Sequence, residues 1–343
     1  MDNSIEKEED ENMNYYIESR GTDPEYNLAL EQFVFDSLDR SHNYFMLWQN
    51  HNSIIVGKHQ NTAAEINASY VNAHNISVVR RLSGGGAVYH DLGNLNYTFI
   101  SDSGADNAID FAAFCQPVQK ALTSFGVPVE IAGRNDMTVM GKKFSGNAQY
   151  LKQGRIMHHG TILYDSNLET LSFALNAPKD KIESRGIQSV RSRVTNIRPY
   201  MKTNMHIEDF WTALKKYMFD AFSMGEYTLS PEENDKIKEL KERVYSQWSW
   251  NYGASPPHNI RKTRRIEGCG TFEILLDVGT GGIINNIIFY GDYFGNDDPA
   301  LLAETMKGRH FEYNELSDTL RDIDISGFFH NLDAKTFLAL LFE

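Results

Sequence analysis

The chain reads as an α+β protein in which a large domain on a mixed or largely antiparallel sheet precedes a small α+β domain. Three observations predict this. Short apolar stretches between 45 and 163 succeed one another through short turns with few helical patterns between them, whereas a doubly wound parallel sheet alternates strand and helix. The run Tyr252-Gly253-Ala254-Ser255-Pro256-Pro257 is punctuated by Gly and Pro, as a boundary is. Beyond it, strand patterns over 270–278 and 283–290 flank Gly279-Thr280-Gly281-Gly282, and helical patterns follow over 299–307 and 313–320. The expected organisation is an acidic tail over 1–12, a large domain over 13–252 and a small domain over 260–343.

The elements follow in chain order. Asp2, Glu6, Glu8, Glu9, Asp10 and Glu11 face only Lys7, a composition expected to stay disordered. Thr22-Asp23-Pro24 offers a cap residue and then Pro in the first turn of a helix, and Tyr26, Leu30, Phe33, Val34 and Leu38 recur at helical spacing. Strands are predicted over 45–48, 54–56 and 76–80. Segments 87–90 and 95–100 flank Asp91-Leu92-Gly93-Asn94 and read as a hairpin. Phe111, Cys115, Val118, Leu122 and Phe125 repeat at helical spacing, and Gly126 ends that helix. Strands over 127–131, 137–140, 145–150 and 156–163 follow, the last two joined by the turn Lys152-Gln153-Gly154-Arg155.

Bulk properties narrow the class. A chain of 343 residues, 41% of them hydrophobic, can bury a sizeable core without staples. A mean hydropathy of -0.45 without a long apolar run argues against a membrane partner, and no secretory leader is legible. The net charge of -13 argues against a nucleic-acid partner. Two stretches run against it, Arg185, Arg191, Arg193 and Arg198, and Arg261-Lys262-Thr263-Arg264-Arg265; each reads most simply as a solvated face. Cys115 and Cys269 are the only cysteines, too few for a disulfide framework, so a reducing cytoplasm is the expected setting.

Four segments carry chemistry. In Arg80-Arg81-Leu82-Ser83-Gly84-Gly85-Gly86-Ala87-Val88-Tyr89-His90-Asp91, three glycines between two strands leave backbone N–H groups open to a phosphate, and Arg81 offers a planar donor fork. It is no Walker A loop, since no Gly-Lys-Ser/Thr follows at the required spacing. Gly133-Arg134-Asn135-Asp136 reads by composition as a turn, with Asp136 suited to a hard cation. In Gly141-Lys142-Lys143-Phe144-Ser145-Gly146-Asn147-Ala148, a lysine among small residues suits a point charge over a phosphate. In His158-His159-Gly160-Thr161, adjacent strand histidines point to opposite faces, so one buried histidine is expected rather than a shared metal. Val79, Val88 and Phe144 are candidates for an apolar slot.

Together RRLSGGGAVYHDLGNLNYTF, GRNDM, GKKFSGNA, HHGTIL and KIESRGIQSVRSRVTNI resemble, in order and interval, the lipoate–protein ligase A family, from about Met13 onward. The resemblance implies a catalytic domain like those of biotin ligases and class II tRNA synthetases, with a small C-terminal domain. It implies activation of lipoate by ATP and Mg²⁺ as lipoyl-AMP, then transfer to a lysine of lipoyl domains of 2-oxoacid dehydrogenases or of the glycine-cleavage H protein. By position, Arg81 and Gly86, Ala87, Val88 and Tyr89 match the ATP-binding stretch, and Lys143 the lysine touching both ATP and lipoate. Asp136 matches an aspartate tied to Mg²⁺ and phosphate, and Ser83 and His159 match positions near the lipoyl group. The alternatives are a cysteine-dependent octanoyltransferase that needs no ATP, a biotin ligase, which has a different loop sequence, and a nonenzymatic lipoate or nucleotide sensor; Lys143 and Asp136 together speak against the sensor.

Overall fold

The computed structural model describes residues 13–102, 110–133, 135–175, 193–252, 260–279 and 282–342. Eight strands form one mixed sheet in the order β11-β1-β2-β6-β10-β9-β8-β7. They are β1 (Asn14–Glu18), β2 (Asn43–Trp48), β6 (Asn94–Asp102), β7 (Val129–Ala132), β8 (Asp136–Val139), β9 (Lys142–Lys152), β10 (Arg155–Leu163) and β11 (Gly225–Glu226). β1 runs parallel to β2 and β11, and the other neighbours are antiparallel. A smaller sheet, β4-β3-β5, joins β3 (Ser53–Val56), β4 (Ser77–Arg80) and β5 (Val88–His90). The C-terminal part forms a third, antiparallel sheet of β12 (Ile260–Ile266), β13 (Gly270–Val278) and β14 (Ile284–Gly291). The predicted α+β class with a mixed sheet and a small C-terminal sheet is the observed one.

Both faces of the large sheet are covered, so β2 is apolar on both sides. In β2, Phe45 and Leu47 join a core with Cys115, Leu122, Phe210 and Trp211 of the helices Phe111–Ser124 and Ile207–Phe222. Tyr44, Met46 and Trp48 join a core with Leu28, Leu30 and Val34 of the helix Pro24–Ser37. That helix begins as predicted: Asp23 accepts from the Glu25 and Tyr26 N–H groups and Pro24 opens the first turn. A separate C-terminal core gathers Phe272, Ile274 and Leu276 against Leu302, Phe337 and Leu341.

Several expectations need correction. The turn at 91–94 is present, with the Asn94 N–H on the Asp91 carbonyl, but it makes no hairpin. β5 pairs with β3 in the small sheet, and β6 with β2 and β10 in the large one. A two-residue turn and alternating flanks are local signals, whereas sheet membership is set by distant partners. β1 and the helices Leu168–Ala174, Ile207–Phe222 and Pro231–Leu240 went unpredicted. Val79 and Phe144 are core residues rather than slot residues. The tail over 1–12, the boundary residues 253–257, Arg134, Arg185 and Arg191 lie outside the described residues.

Candidate active site

Residues from the glycine loop, β2, β3, β5, β9, β10 and the helix Pro24–Ser37 line one pocket. Its wall includes the predicted residues Arg81, Gly86, Ala87, Val88, Lys143 and His159, together with Gly85. The apolar part is Leu28, Trp48, Ile55, Val88 and Ala148.

The loop is held from within. Arg81 is buried, and its guanidinium donates to Ser83 Oγ (2.9 Å) and to the carbonyls of Ile55 (3.1 Å), Gly84 (2.6 Å) and Gly86 (2.8 Å). Burial pushes its pKa down to about 10, against the opposing pull of Glu31, so it stays charged at neutral pH. The sequence suggested a free fork for phosphate; here the fork is occupied by the loop's own carbonyls, which three successive glycines leave without side-chain donors. Close approach is required too: a Cβ on Gly57 would fall 1.9 Å from the Gly85 carbonyl oxygen. Gly86 has open space before its Cβ direction.

Lys143 reaches the pocket through a β-bulge. The β8–β9 register pairs Asp136 with Gly146 and Met137 with Ser145, then shifts to pair Thr138 with Lys143. An uninterrupted strand would put residue 143 on the face opposite 146 and 148; the extra residue brings Lys143 round to share the pocket wall with Gly146 and Ala148. Phe144, beside it, is fully buried. Lys143 Nζ lies 2.7 Å from Asp136 Oδ1, with each side chain more than a third exposed. Such a pair contributes roughly 0–1 kcal/mol, so a polyanionic ligand can take the lysine over at little cost. Among the described residues no cluster of three or more His, Cys, Asp or Glu forms a metal cage. Mg²⁺ ordinarily takes one or two protein carboxylates and completes its shell with water and substrate phosphate, and Asp136 fits that role.

Ser83 and His159 meet as one unit. Ser83 Oγ is 2.6 Å from His159 Nε2, and His159 Nδ1 is 3.1 and 3.2 Å from the two oxygens of Glu31. Thr98 donates to the same carboxylate, and Trp48 Nε1 donates to Thr98 Oγ1. This chain ties the glycine loop to β10, the helix Pro24–Ser37, β6 and β2. Glu31 was missed. Its signal was a carboxylate in phase with Leu28 and Phe35 on the buried side of a helix, where a charge needs a partner. Asn96 also reaches the pocket, as do His90 and Asn147, which lie inside the singled-out segments but had no role assigned to them. Tyr89, between Val88 and His90, turns its side chain into the core and donates to Asn52.

His158 faces the other way, as strand alternation predicts. It stacks on Phe114, lies 3.0 Å from Gln149 Nε2, and is held neutral by burial. Its Nε2 is 3.9 Å from Cys115 Sγ, but burial pushes that thiol up to about 12. A buried neutral thiol is not a nucleophile. A second cleft beside β1 and β11 holds Glu18, Arg20, Lys215 and Glu226, which pair with one another.

The C-terminal part closes over the loop. The Gly291 N–H donates to the His59 carbonyl (2.8 Å) and the Gly85 N–H to the Tyr293 carbonyl (3.3 Å). The Tyr293 ring stacks on His59, and Phe294 packs on Phe111 and Ala148.

Comparison with known proteins gives the same outline. The model of the lipoyl protein ligase A/B catalytic domain matches residues 23–219, and that of the bacterial lipoate protein ligase C-terminus matches 255–341. Lipoate-protein ligase LplJ of Bacillus subtilis is 41% identical over 323 residues, 93% of this chain and 97% of that protein. Lipoate–protein ligase 1 of Staphylococcus aureus is 39% identical over 329 residues, 96% of this chain and 100% of that one. Among solved structures, P. falciparum LipL1 in complex with lipoate shares the fold, with a TM-score of 0.76 at 24% identity over 95% of this chain and 97% of that one. A bi-partite lipoate protein ligase from Thermoplasma acidophilum, described with its E2 lipoyl domain, has a TM-score of 0.62 at 25% identity, covering 73% of this chain and 99% of that one.

Proposed function

The chain belongs to the lipoyl protein ligase A/B family and is a lipoate–protein ligase, and from this premise we propose that it couples lipoate to ATP as lipoyl-AMP and passes the lipoyl group to a lysine of a lipoyl domain or of the glycine-cleavage H protein. One observation carries this reading: the bulge at β8–β9 sets Lys143 in the same pocket as the glycine loop and an apolar wall. Such a pocket suits a ligand with a phosphate at one end and a hydrocarbon chain at the other.

In the first step a lipoate carboxylate oxygen bonds to the α-phosphorus of ATP, the bond to the β-phosphate bridge breaks, and pyrophosphate leaves. Negative charge builds on the α-phosphate oxygens, and we assign Lys143 and the loop N–H groups other than that of Gly85, which already donates to the Tyr293 carbonyl, as the donors that receive it. Bound Mg²⁺ would neutralise phosphate charge, with Asp136 as its protein ligand. Leu28, Trp48, Ile55 and Val88 shelter the acyl chain. Arg81 holds the loop, and the Ser83–His159–Glu31 chain fixes the walls against one another. In the second step the acceptor amine attacks the anhydride carbonyl, its C–O bond to AMP breaks, and the amine gives up a proton. We place the reaction in the cytoplasm, in keeping with two cysteines that are both buried thiols. Among the described residues no helix is long and apolar enough to cross a membrane.

Incubation with ATP, Mg²⁺ and lipoate is expected to yield lipoyl-AMP by mass spectrometry, and adding a lipoyl domain is expected to yield the lipoylated protein. A Cys115→Ala, Cys269→Ala double variant is expected to keep both activities, because each thiol lies in a core. ATP-independent transfer from a thioester, lost in a folded Cys115→Ala protein, would establish a cysteine transferase instead. We also propose the unit boundary at 253–259, between the Trp248–Asn251 helix and β12. Limited proteolysis is expected to cut between Asn251 and Arg261 and release a soluble large fragment; resistance of that stretch would refute the boundary.

A further inference from the structure

Strand β12 carries Arg261, Lys262, Arg264 and Arg265, half of the lysines and arginines between 260 and 342. Among the described strands only β13 pairs with it, so β12 is an edge. Arg261 is matched by Glu273 across the ladder (2.6 Å). No acidic partner of Lys262, Arg264 or Arg265 occurs among the described residues, and the two arginines are exposed.

The row has a definite place relative to the pocket. Arg264 is in register with Phe272, and Phe272 with Gly291. With neighbouring strands about 4.8 Å apart, Arg264 stands roughly 10 Å from Gly291. Gly291 is the residue whose N–H is bonded to the His59 carbonyl, two positions before the Tyr293 carbonyl that meets Gly85. The basic edge therefore starts beside the junction over the glycine loop and runs outward, with Lys262 and Arg264 on the face of Ile274 and Phe272 and with Arg261 and Arg265 on the other.

Charges on an edge strand also deter edge-to-edge aggregation, a role that asks for no particular sign. Here the sign of charge is reversed over a short stretch on a chain of net charge -13. Five strand residues span roughly 17 Å, a short track for a nucleic acid but a fit for a protein patch. Complementary patches guide encounter and fix orientation, which a reaction on a single acceptor lysine requires. We propose that β12 is the docking edge for an acidic surface of the acceptor protein, placing its target lysine at the pocket. This rests on the ligase reading above.

The test uses the full chain with Lys262→Glu, Arg264→Glu and Arg265→Glu combined, and a lipoyl domain with an unmodified lysine as probe. Lipoyl-AMP formation without acceptor is expected to stay at the parent rate. The KM for the lipoyl domain is expected to rise about tenfold or more with kcat kept at saturation, and the parent KM to rise with salt more steeply than the variant's. A Lys307→Glu, Arg321→Glu control with matched local pairs at Glu304 and Asp318 is expected to leave KM unchanged. An unmoved KM in the β12 variant, or an equal rise in the control, overturns the proposal. So does a parent protein that binds duplex DNA through these residues while acceptor KM stays fixed. Direct binding of the lipoyl domain, followed by anisotropy without ATP, needs no catalysis. Its loss in the variant supports the docking edge even if no lipoyl-AMP forms, an outcome that would refute only the ligase reading.

Discussion

Lys143→Ala is expected to slow lipoyl-AMP formation by about 100-fold or more while the fold stays intact. Removing one preorganised donor from a site of developing charge costs roughly 3 kcal/mol of barrier. The stability change is expected to stay within about 1 kcal/mol, because the Lys143–Asp136 pair is more than a third exposed. Single-turnover mass spectrometry of lipoyl-AMP reads the first quantity and a thermal melt the second. Lys142→Ala is the control: that neighbour is exposed, does not line the pocket, and should be mild. Near-parent adenylate formation by Lys143→Ala would remove the lysine from the chemistry.

Gly85→Val is expected to abolish ATP-dependent lipoate binding and to lower stability as well. Gly85 has φ +86°, a conformation a β-branched residue adopts only under strain of about 1–3 kcal/mol. Its Cβ would also lie 3.0 Å from the Phe294 ring and 3.1 Å from Arg81 Nη2. Arg81 is pinned by three carbonyls and a hydroxyl, so it cannot move aside without dismantling the loop. Gly86→Ala separates the two effects, since its Cβ meets nothing within 4 Å. That variant is expected to melt like the parent and to bind nucleotide more weakly. Calorimetry with ATP and lipoate measures both; unchanged binding by a folded Gly85→Val protein would make the loop a connector only.

Glu31 and Lys143 show what kind of information each level carries. Lys143 was legible because its neighbours Gly141, Ser145, Gly146 and Ala148 are small and the motif is compact. That it faces the pocket was not, because period-2 alternation from Gly146 and Ala148 puts it on the wrong face. Only the register shift against β8 turns it round. Glu31 lies 128 positions from His159, and nothing local announces that pairing. Arg81 was legible as a phosphate-suited fork, but which acceptors it meets depends on how the glycine carbonyls turn.

The order of short strands, the helix start at Asp23, the core role of Cys115 and the compact motifs were determined by the sequence itself, because caps, turns and apolar periodicity act over a few residues. The tertiary structure decided what depends on long-range pairing. It sent β5 and β6 to different sheets across one turn, rotated Lys143 into the pocket, and joined Ser83, His159 and Glu31 into one buried chain. It also seated Tyr293 and Phe294 on a glycine loop some two hundred residues earlier. The physical reason is the same in each case: a strand's partner, a bulge's parity and a buried charge's counterpart are fixed by which surfaces exclude water together, and that is settled only when the whole chain packs.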